Sequence, residues 1–128
     1  LLLVEDSAFF RGVVGPMLSA AGYQVTAVAN GAEALRLREA EESFDAIVSD
    51  IEMPELGGIE LARTLRQGGA WAGLPMIALS SRTTPEAIRQ AREAGFTDYV
   101  GKLDREGLLA SLRQCLGTPT QWPAMATE

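Results

Sequence analysis

Side chains that could handle phosphate follow several short apolar runs of the sequence. Glu5 and Asp6 come after one such run, Asp50 after another, and Ser80 and Lys102 after two more. Three carboxylates that share one site repel each other, which raises the pKa of at least one of them unless a cation neutralises the charge. Because no histidine or thiolate accompanies these oxygen ligands, a hard ion such as Mg²⁺ is favoured, and Mg²⁺ also accepts a phosphoryl oxygen. We therefore predict a magnesium site that can bind a phosphoryl group.

Each of these residues has an ordinary explanation when it is taken alone. The acidic pair suits a solvated loop or a helix cap, and a lone lysine is usually a surface residue. Ser80 suits a hydrogen bond at the end of a strand, and Tyr99 suits half-buried packing. The combination is more specific than its parts, because chance gives no reason for polar groups to recur at the ends of successive strands.

The elements that must position these residues are strands and helices in alternation. Short apolar runs alternate with longer segments of helical period, which predicts βα units around a parallel sheet. Such units give a doubly wound α/β fold, a flavodoxin-like three-layer sandwich with five strands in the order 2-1-3-4-5, whose ligand site lies beyond the carboxyl ends of the strands. We expect five buried strands, at residues 1–4, 24–28, 46–49, 76–79 and 98–100.

Capping residues mark where helices begin and end. Ser7 is placed to cap the first helix, and Gly22 is placed to end it. Thr84 and Pro85 open the fourth helix, and Gly95 closes it. The apolar residues of the first helix recur with helical spacing, which is typical of a core-facing stripe: Phe9, Phe10, Val13, Met17 and Leu18.

One domain accounts for most of the 128 residues. We place it at residues 1–116 and interpret residues 117–128, which have two prolines and no apolar period, as a C-terminal tail or linker. Because the chain opens on Leu1 rather than on methionine, we expect it to be a piece of a longer protein. The single cysteine, Cys115, excludes an internal disulfide and a zinc cage, and we expect it to be a buried bystander.

Charge and hydropathy argue against other classes of protein. The net charge is -6 and the 11 basic residues are scattered, which disfavours direct binding of nucleic acid. No apolar run approaches the roughly 20 residues that a membrane-spanning helix needs. We therefore expect no membrane insertion and a cytoplasmic location.

Four spaced motifs resemble the receiver domain family of response regulators and hybrid histidine kinases. They are Leu-Val-Glu-Asp-Ser at 3–7, Ser-Asp-Ile-Glu-Met-Pro at 49–54, Ala-Leu-Ser-Ser at 78–81, and Ala-Gly-Phe-Thr-Asp-Tyr-Val at 94–100 followed by Lys102. The resemblance covers residues 1 to about 116. Phe9 and Phe10, directly after the first motif, are similar to receivers at the C-terminus of chemotaxis-type hybrid histidine kinases.

The resemblance implies a phosphoacceptor with Mg²⁺ as its cofactor, rather than a conventional enzyme. Asp50 would be the nucleophile that takes a phosphoryl group from a histidine kinase or a phosphotransfer domain. Lys102 and Ser80 would contact the phosphoryl oxygens. The metal ligands implied are the carboxylates of Asp6 and Asp50, Glu5 through a water molecule, and the backbone carbonyl of Glu52.

The resemblance also implies a switch. Ser80 would move inward on phosphorylation and let Tyr99 turn toward the core, which would change the face formed by the fourth helix, fifth strand and fifth helix. That face would bind a downstream protein. Pro54 and Gly57-Gly58 are similar to the loop that follows the phosphorylation site in this family.

One position departs from the usual family pattern, and two others could modulate the site. Leu103 follows Lys102 where most members have a proline after a cis bond, and we expect a trans bond here because a cis bond before a non-proline residue costs about 2.5–4 kcal/mol. Glu52 and Arg82 flank the reactive residues with opposite charges. An ion pair between them would shield an acyl phosphate from water and slow its loss, whereas two independent solvated side chains would not.

Two other functions remain open on sequence. One is a receiver-like interaction module that is never phosphorylated, which the loss of the proline supports slightly. The other is a phosphatase of the haloacid dehalogenase type, whose aspartate nucleophile normally lies after the first strand in an Asp-x-Asp arrangement. Here the first strand is followed by Glu5-Asp6 instead, and Asp50 follows the third strand.

Overall fold

The computed structural model describes residues 1–53 and 56–116. Strands and helices alternate along these residues, beginning with a strand. The strands are β1 (Leu2–Val4), β2 (Thr26–Val28), β3 (Ile47–Asp50), β4 (Met76–Ser80) and β5 (Asp98–Gly101). The helices are α1 (Ala8–Ala20), α2 (Gly31–Glu39), α3 (Gly58–Arg66), α4 (Pro85–Ala94) and α5 (Arg105–Leu116).

The five strands form one parallel sheet in the order β2-β1-β3-β4-β5. This order confirms the predicted doubly wound α/β fold. Successive residues of a strand point to opposite faces of the sheet, so Leu2 and Val4 enter one apolar core and Leu3 enters the other. Helices α2, α3 and α4 cover the first core, and α1 and α5 cover the second.

The helix caps follow the sequence prediction. The Ser7 hydroxyl accepts a hydrogen bond from the Phe10 N–H at 3.3 Å and so begins α1, and Thr84 caps α4 in the same way. Gly95 ends α4 with a φ of +117°, a left-handed conformation that a residue with a side chain rarely adopts. No described helix is both long and apolar enough to cross a membrane.

Three sequence predictions about burial are wrong. β2 and β5 are not buried strands, because they lie at the two edges of the sheet and each pairs with a single neighbour, so Thr26, Ala27 and Asp98 are exposed. The apolar stripe of α1 does not all face the core, since Phe9 is 71% exposed and Val13 is 48% exposed. Cys115 is only half-buried. The predicted tail at 117–128 and Pro54 lie outside the described residues.

Candidate functional site

The carboxyl ends of the strands carry the polar residues that the sequence singled out. Asp50 is the last residue of β3 and Ser80 is the last residue of β4, one residue later in each strand than predicted. Glu5 follows β1 directly and Lys102 follows β5 directly. Parallel register aligns Ser80 with Gly101 and places these strand ends at one edge of the sheet. The topology therefore brings the predicted residues together.

Three carboxylates form a compact acidic cluster at this edge. One oxygen from each of Glu5, Asp6 and Asp50 lies within 4.8 Å of the others. Glu5 and Asp50 are fully buried, whereas Asp6 is exposed. Neither carboxylate oxygen of Asp50 accepts a hydrogen bond, and neither does Oε1 of Glu5. Buried oxygens without donors are costly unless a cation balances them.

Lys102 supplies one positive charge to the acidic cluster. Its Nζ lies 3.1 Å from Asp50 Oδ2 and 3.3 Å from Glu5 Oε1, and it donates a hydrogen bond to Glu5 Oε2. The Lys102 N–H donates to the Ser80 carbonyl at 3.0 Å, which holds the start of the β5–α5 loop against β4. The ammonium also lies 4.3 Å from the centre of the Phe10 ring. Lys102 is thus fixed through both its backbone and its side chain.

Burial and charge act in opposite directions on Asp50 and Lys102. Burial, with a further contribution from the Glu5 carboxylate, raises the pKa of Asp50 from 3.8 to about 7, although the Lys102 ammonium opposes this rise. Burial also disfavours the charged form of Lys102, but the carboxylates of Asp50 and Glu5 outweigh it and raise the pKa of this lysine. The cluster therefore holds more negative charge than one lysine can neutralise.

The donor set of the cluster fits a hard divalent cation. It consists of oxygens alone, three of them buried without a hydrogen-bond donor, and it is open to solvent on the Asp6 side. Mg²⁺ prefers carboxylate oxygens and retains several water molecules, which a half-open site allows. The carboxylates of Glu5, Asp6 and Asp50 are the residues that would hold it.

The backbone of Asp50 is crowded by the start of α3. A Cβ atom added at Gly58 would lie 2.3 Å from the Asp50 carbonyl oxygen and 2.9 Å from the Ile51 Cα, so only glycine fits there. The Gly58 N–H donates to the Ile51 carbonyl at 3.1 Å, which anchors the helix beside the acidic cluster. This close approach fixes the position from which the Asp50 side chain extends.

Ser80 is held in a network on the other side of Asp50. Its hydroxyl donates to the Glu52 carboxylate, with Oγ 3.0 Å from Oε2, and accepts from the Arg82 N–H at 2.9 Å. The Tyr99 hydroxyl in turn donates to the Arg82 carbonyl. Tyr99 is half-buried and packs against the core covered by α4, so the predicted switch residues are linked through the backbone of the β4–α4 loop.

The Glu52–Arg82 ion pair predicted as one possibility is not formed among the described residues. The Glu52 carboxylate is engaged by the Ser80 hydroxyl instead, and only the backbone of Arg82 joins the network. The Lys102–Leu103 peptide bond is trans, as expected, and the Leu103 side chain is 86% exposed.

Two contacts of the site were missed on sequence. Phe10 was counted in the apolar stripe of α1, but it lies against the Lys102 ammonium. Arg11 donates from Nη1 to the Glu5 carbonyl at 2.7 Å and so ties α1 to the end of β1. Both residues lie in the first turn of α1, and their contacts depend on the angle at which α1 leaves β1, which no signal in the sequence indicates.

Comparisons with known proteins agree with this geometry. The sequence model of the response regulator receiver domain family matches residues 1–113 of the chain. The chain is 34% identical to the sensory/regulatory protein RpfC of Xanthomonas campestris, an alignment that covers 100% of this chain and 19% of that protein. It is also 37% identical to a gliding motility regulatory protein of Myxococcus xanthus, over 80% of this chain and 13% of that protein. The chain thus spans less than a fifth of the length of these relatives.

Solved structures give the same result. The chemotaxis protein CheY4 of Vibrio cholerae superposes with a TM-score of 0.82 at 34% identity, over 90% of this chain and 96% of that one. The receiver domain of a sensor histidine kinase from Pseudomonas aeruginosa, described with a magnesium ion coordinated in its active-site cleft, gives a TM-score of 0.82 at 34% identity over 91% and 95% of the chains. On the family match and on these similarities, this chain belongs to the response regulator receiver domain family.

Proposed function

We propose that Asp50 accepts a phosphoryl group from the phosphohistidine of a histidine kinase or a phosphotransfer domain. A carboxylate oxygen of Asp50 would attack phosphorus and form an acyl phosphate, while the bond between phosphorus and the imidazole nitrogen breaks. The electron pair of that bond stays on the imidazole, which takes up a proton. Glu5 and Asp50 are both buried and both contact Lys102, but the backbone N–H of Ser7 donates to Glu5, whereas Asp50 has no donor on either oxygen apart from the Lys102 ammonium.

The other residues of the site would position the group and balance its charge. Lys102, already 3.1 Å from Asp50, would pair with an equatorial phosphoryl oxygen as charge builds up there. The Ser80 hydroxyl would donate a hydrogen bond to a second phosphoryl oxygen, after its hydrogen bond to the Glu52 carboxylate breaks. Bound Mg²⁺ would neutralise the carboxylates and the phosphoryl oxygens, held by Glu5, Asp6 and Asp50, with the Glu52 backbone carbonyl as a further proposed ligand.

The observation that carries this proposal is the set of buried acceptors on Asp50. Apart from the Lys102 ammonium, no donor contacts either of its oxygens, and two further carboxylates lie beside them. A purely structural aspartate at a strand end would be expected to accept backbone or side-chain hydrogen bonds. A carboxylate that contacts one ammonium and no other donor, beside a metal-binding donor set, is suited to attack an electrophile.

We further propose that the switch runs from Ser80 to the surface of α4, β5 and α5. The Ser80 hydroxyl, the Arg82 backbone and the Tyr99 hydroxyl form a continuous chain of hydrogen bonds. Movement of Ser80 toward a phosphoryl group would break this chain and release Tyr99. A downstream protein would bind the surface that changes, and the cytoplasm is the proposed location of these events.

The test is phosphorylation by acetyl phosphate with Mg²⁺, followed by intact mass measurement. The wild-type protein should gain the mass of one phosphoryl group, and Asp50→Asn should gain none. Asp45→Asn is a matched control, because Asp45 lies before β3 rather than in the acidic cluster, and it should be labelled like the wild type. No gain of mass in the wild type would instead favour the interaction module that is never phosphorylated.

A phosphatase of the haloacid dehalogenase type is not favoured. Its nucleophile would follow β1, where the chain has Glu5 and Asp6, and Asp50 lies on β3. Steady turnover of a phosphomonoester such as p-nitrophenyl phosphate, abolished by Asp50→Asn, would support the phosphatase function. A single stoichiometric transfer supports the phosphoacceptor instead.

A further inference from the structure

Phe10 occupies a position in the site that the established family membership does not explain. It is the third residue of α1, and the hydrogen bond from its N–H to the Ser7 hydroxyl fixes it in the first turn of that helix. Its half-buried ring lies against Lys102, with Nζ 4.3 Å from the ring centre. The exposed Phe9 ring lies nearly perpendicular to it, at 5.3 Å between ring centres and an interplanar angle of 81°, and does not contact Lys102.

The hydrogen bond from the Lys102 N–H to the Ser80 carbonyl holds the backbone of Lys102, but the neighbouring residues of the loop do little to orient its side chain. Gly101 precedes it and the exposed Leu103 follows it through a trans bond, so neither neighbour restricts the backbone as a proline would. The remaining contacts of the ammonium are the carboxylates of Glu5 and Asp50. One of these, Asp50, is the group that changes charge and bonding when a phosphoryl group arrives.

The face of an aromatic ring attracts a cation through its quadrupole, and the attraction grows when water is excluded. The Lys102 side chain is only 13% exposed, so its ammonium meets the Phe10 ring in a largely desolvated position. Unlike a carboxylate, the ring neither ionises nor binds a metal. It can therefore hold the ammonium at the same place before and after the charges of the acidic cluster change.

We infer that Phe10 is a positioning residue for Lys102, whose ring face keeps the ammonium at the acidic cluster by a cation–π contact. The catalytic part of this inference rests on the proposed phosphoryl transfer, and its structural part does not. On this view α1 contributes a non-titrating anchor to the site in place of the rigidity that a proline after Lys102 would give.

A double-mutant cycle in the metal-free protein tests the contact without any phosphorylation. Phe10→Leu, Lys102→Met and the double variant are unfolded with urea in the presence of EDTA. The effects of the two changes should be non-additive, with a coupling of about 3-fold to 30-fold in the unfolding equilibrium constant, the range between an exposed and a desolvated cation–π pair. Additive effects, within the error of the measurement, would overturn the contact.

Fluorinated phenylalanines at position 10 test its role in the reaction. They keep the size of the ring and progressively remove its negative face, so the rate of phosphorylation by acetyl phosphate at saturating Mg²⁺ should fall stepwise with each fluorine added. Phe10→Leu should slow the reaction about 3-fold to 10-fold, and Phe10→Trp should retain the wild-type rate. Phe9→Leu, the matched control on the exposed neighbour, should change the rate less than about twofold.

The outcomes separate the two levels of the inference. If the wild type is phosphorylated and every variant with a fluorinated ring at position 10 reacts at the same rate, the positioning role is overturned, whatever the urea cycle shows. Equal losses for Phe9→Leu and Phe10→Leu would also overturn it, because they would indicate packing of α1 rather than the ring face. If the wild type is not phosphorylated at all, the proposed function fails and the urea cycle alone decides the contact.

Discussion

Replacing Asp50 with asparagine should make the metal-free protein more stable, although the side chain lies in the centre of the site. Asp50 is fully buried, accepts no hydrogen bond and lies in a cluster with two other carboxylates. Burial raises its pKa to about 7, so the folded protein holds a proton on Asp50 that the unfolded chain has already released. Asparagine keeps the shape and removes the charge.

The size of the effect follows from the raised pKa. A group with a raised pKa in the folded state stabilises the fold most at low pH, and that stability is lost as the pH rises from the unfolded value of 3.8 toward the folded value of about 7. The full loss for ionised Asp50 is on the order of 4 kcal/mol. An asparagine amide buried without partners costs about 1–3 kcal/mol in its turn. We therefore expect Asp50→Asn to gain about 1–3 kcal/mol over the wild type at pH 8.

The assay is urea unfolding in EDTA at several pH values between 5 and 8.5. The difference in free energy of unfolding between Asp50→Asn and the wild type should grow by about 2–3 kcal/mol from pH 5 to pH 8 and stay constant above that. Adding Mg²⁺ at 100 times its dissociation constant should stabilise the wild type by about 2.7 kcal/mol and the variant by clearly less. A difference that does not change with pH, or a variant less stable at every pH, would refute the reasoning.

Three further predictions concern the frame and the switch. Gly12 lies inside α1 with open space around it, so Gly12→Ala should raise the free energy of unfolding by about 0.5–1 kcal/mol, whereas Gly58→Ala should lower it by roughly 2 kcal/mol or more, both measured by urea unfolding. Arg66 donates to three backbone carbonyls, those of residues 72, 74 and 95, so Arg66→Ala should cost about 2–3 kcal/mol of stability in the same assay. Glu52→Ala should speed phosphorylation by acetyl phosphate about threefold because it frees the Ser80 hydroxyl, and Arg82→Ala should leave the rate nearly unchanged.

Each of these predictions has an outcome that contradicts it. Gly58→Ala as stable as the wild type would mean that the start of α3 can move away from the Asp50 carbonyl. An Arg66→Ala variant within 0.5 kcal/mol of the wild type, about the range of an ordinary surface substitution, would mean that water replaces its three contacts. Equal rate changes for Glu52→Ala and Arg82→Ala would restore the ion pair between the two side chains that the sequence suggested.

The sequence predicts the interior of this fold well and its boundaries less well. The apolar runs at β1, β3 and β4 are buried in fact, because central strands of a parallel sheet are covered on both faces. β2 has a similar composition but lies at the edge, and edge position depends on strand order rather than on local sequence. The exposure of Phe9 and Val13 has a related cause, because the packing of Val14 and Leu18 determines which face of α1 lies against the core.

The site shows the same division between what topology dictates and what only packing decides. Glu5, Asp50, Ser80 and Lys102 could be brought together on sequence because each lies at the end of a parallel strand, and such ends share one edge. Phe10 could not, because its contact with Lys102 depends on the angle at which α1 leaves β1.

The same argument explains why the ion pair between Glu52 and Arg82, one of two possibilities on sequence, does not form among the described residues. Opposite charges on two loops suggest an ion pair, but an exposed ion pair gains little because water screens it. The Ser80 hydroxyl is buried and also accepts the Arg82 N–H, so its proton has few acceptors besides the Glu52 carboxylate. A buried donor that would otherwise lack an acceptor outweighs an ion pair in solvent. The Glu52 carboxylate is therefore bound in the Ser80 network rather than paired with the Arg82 side chain.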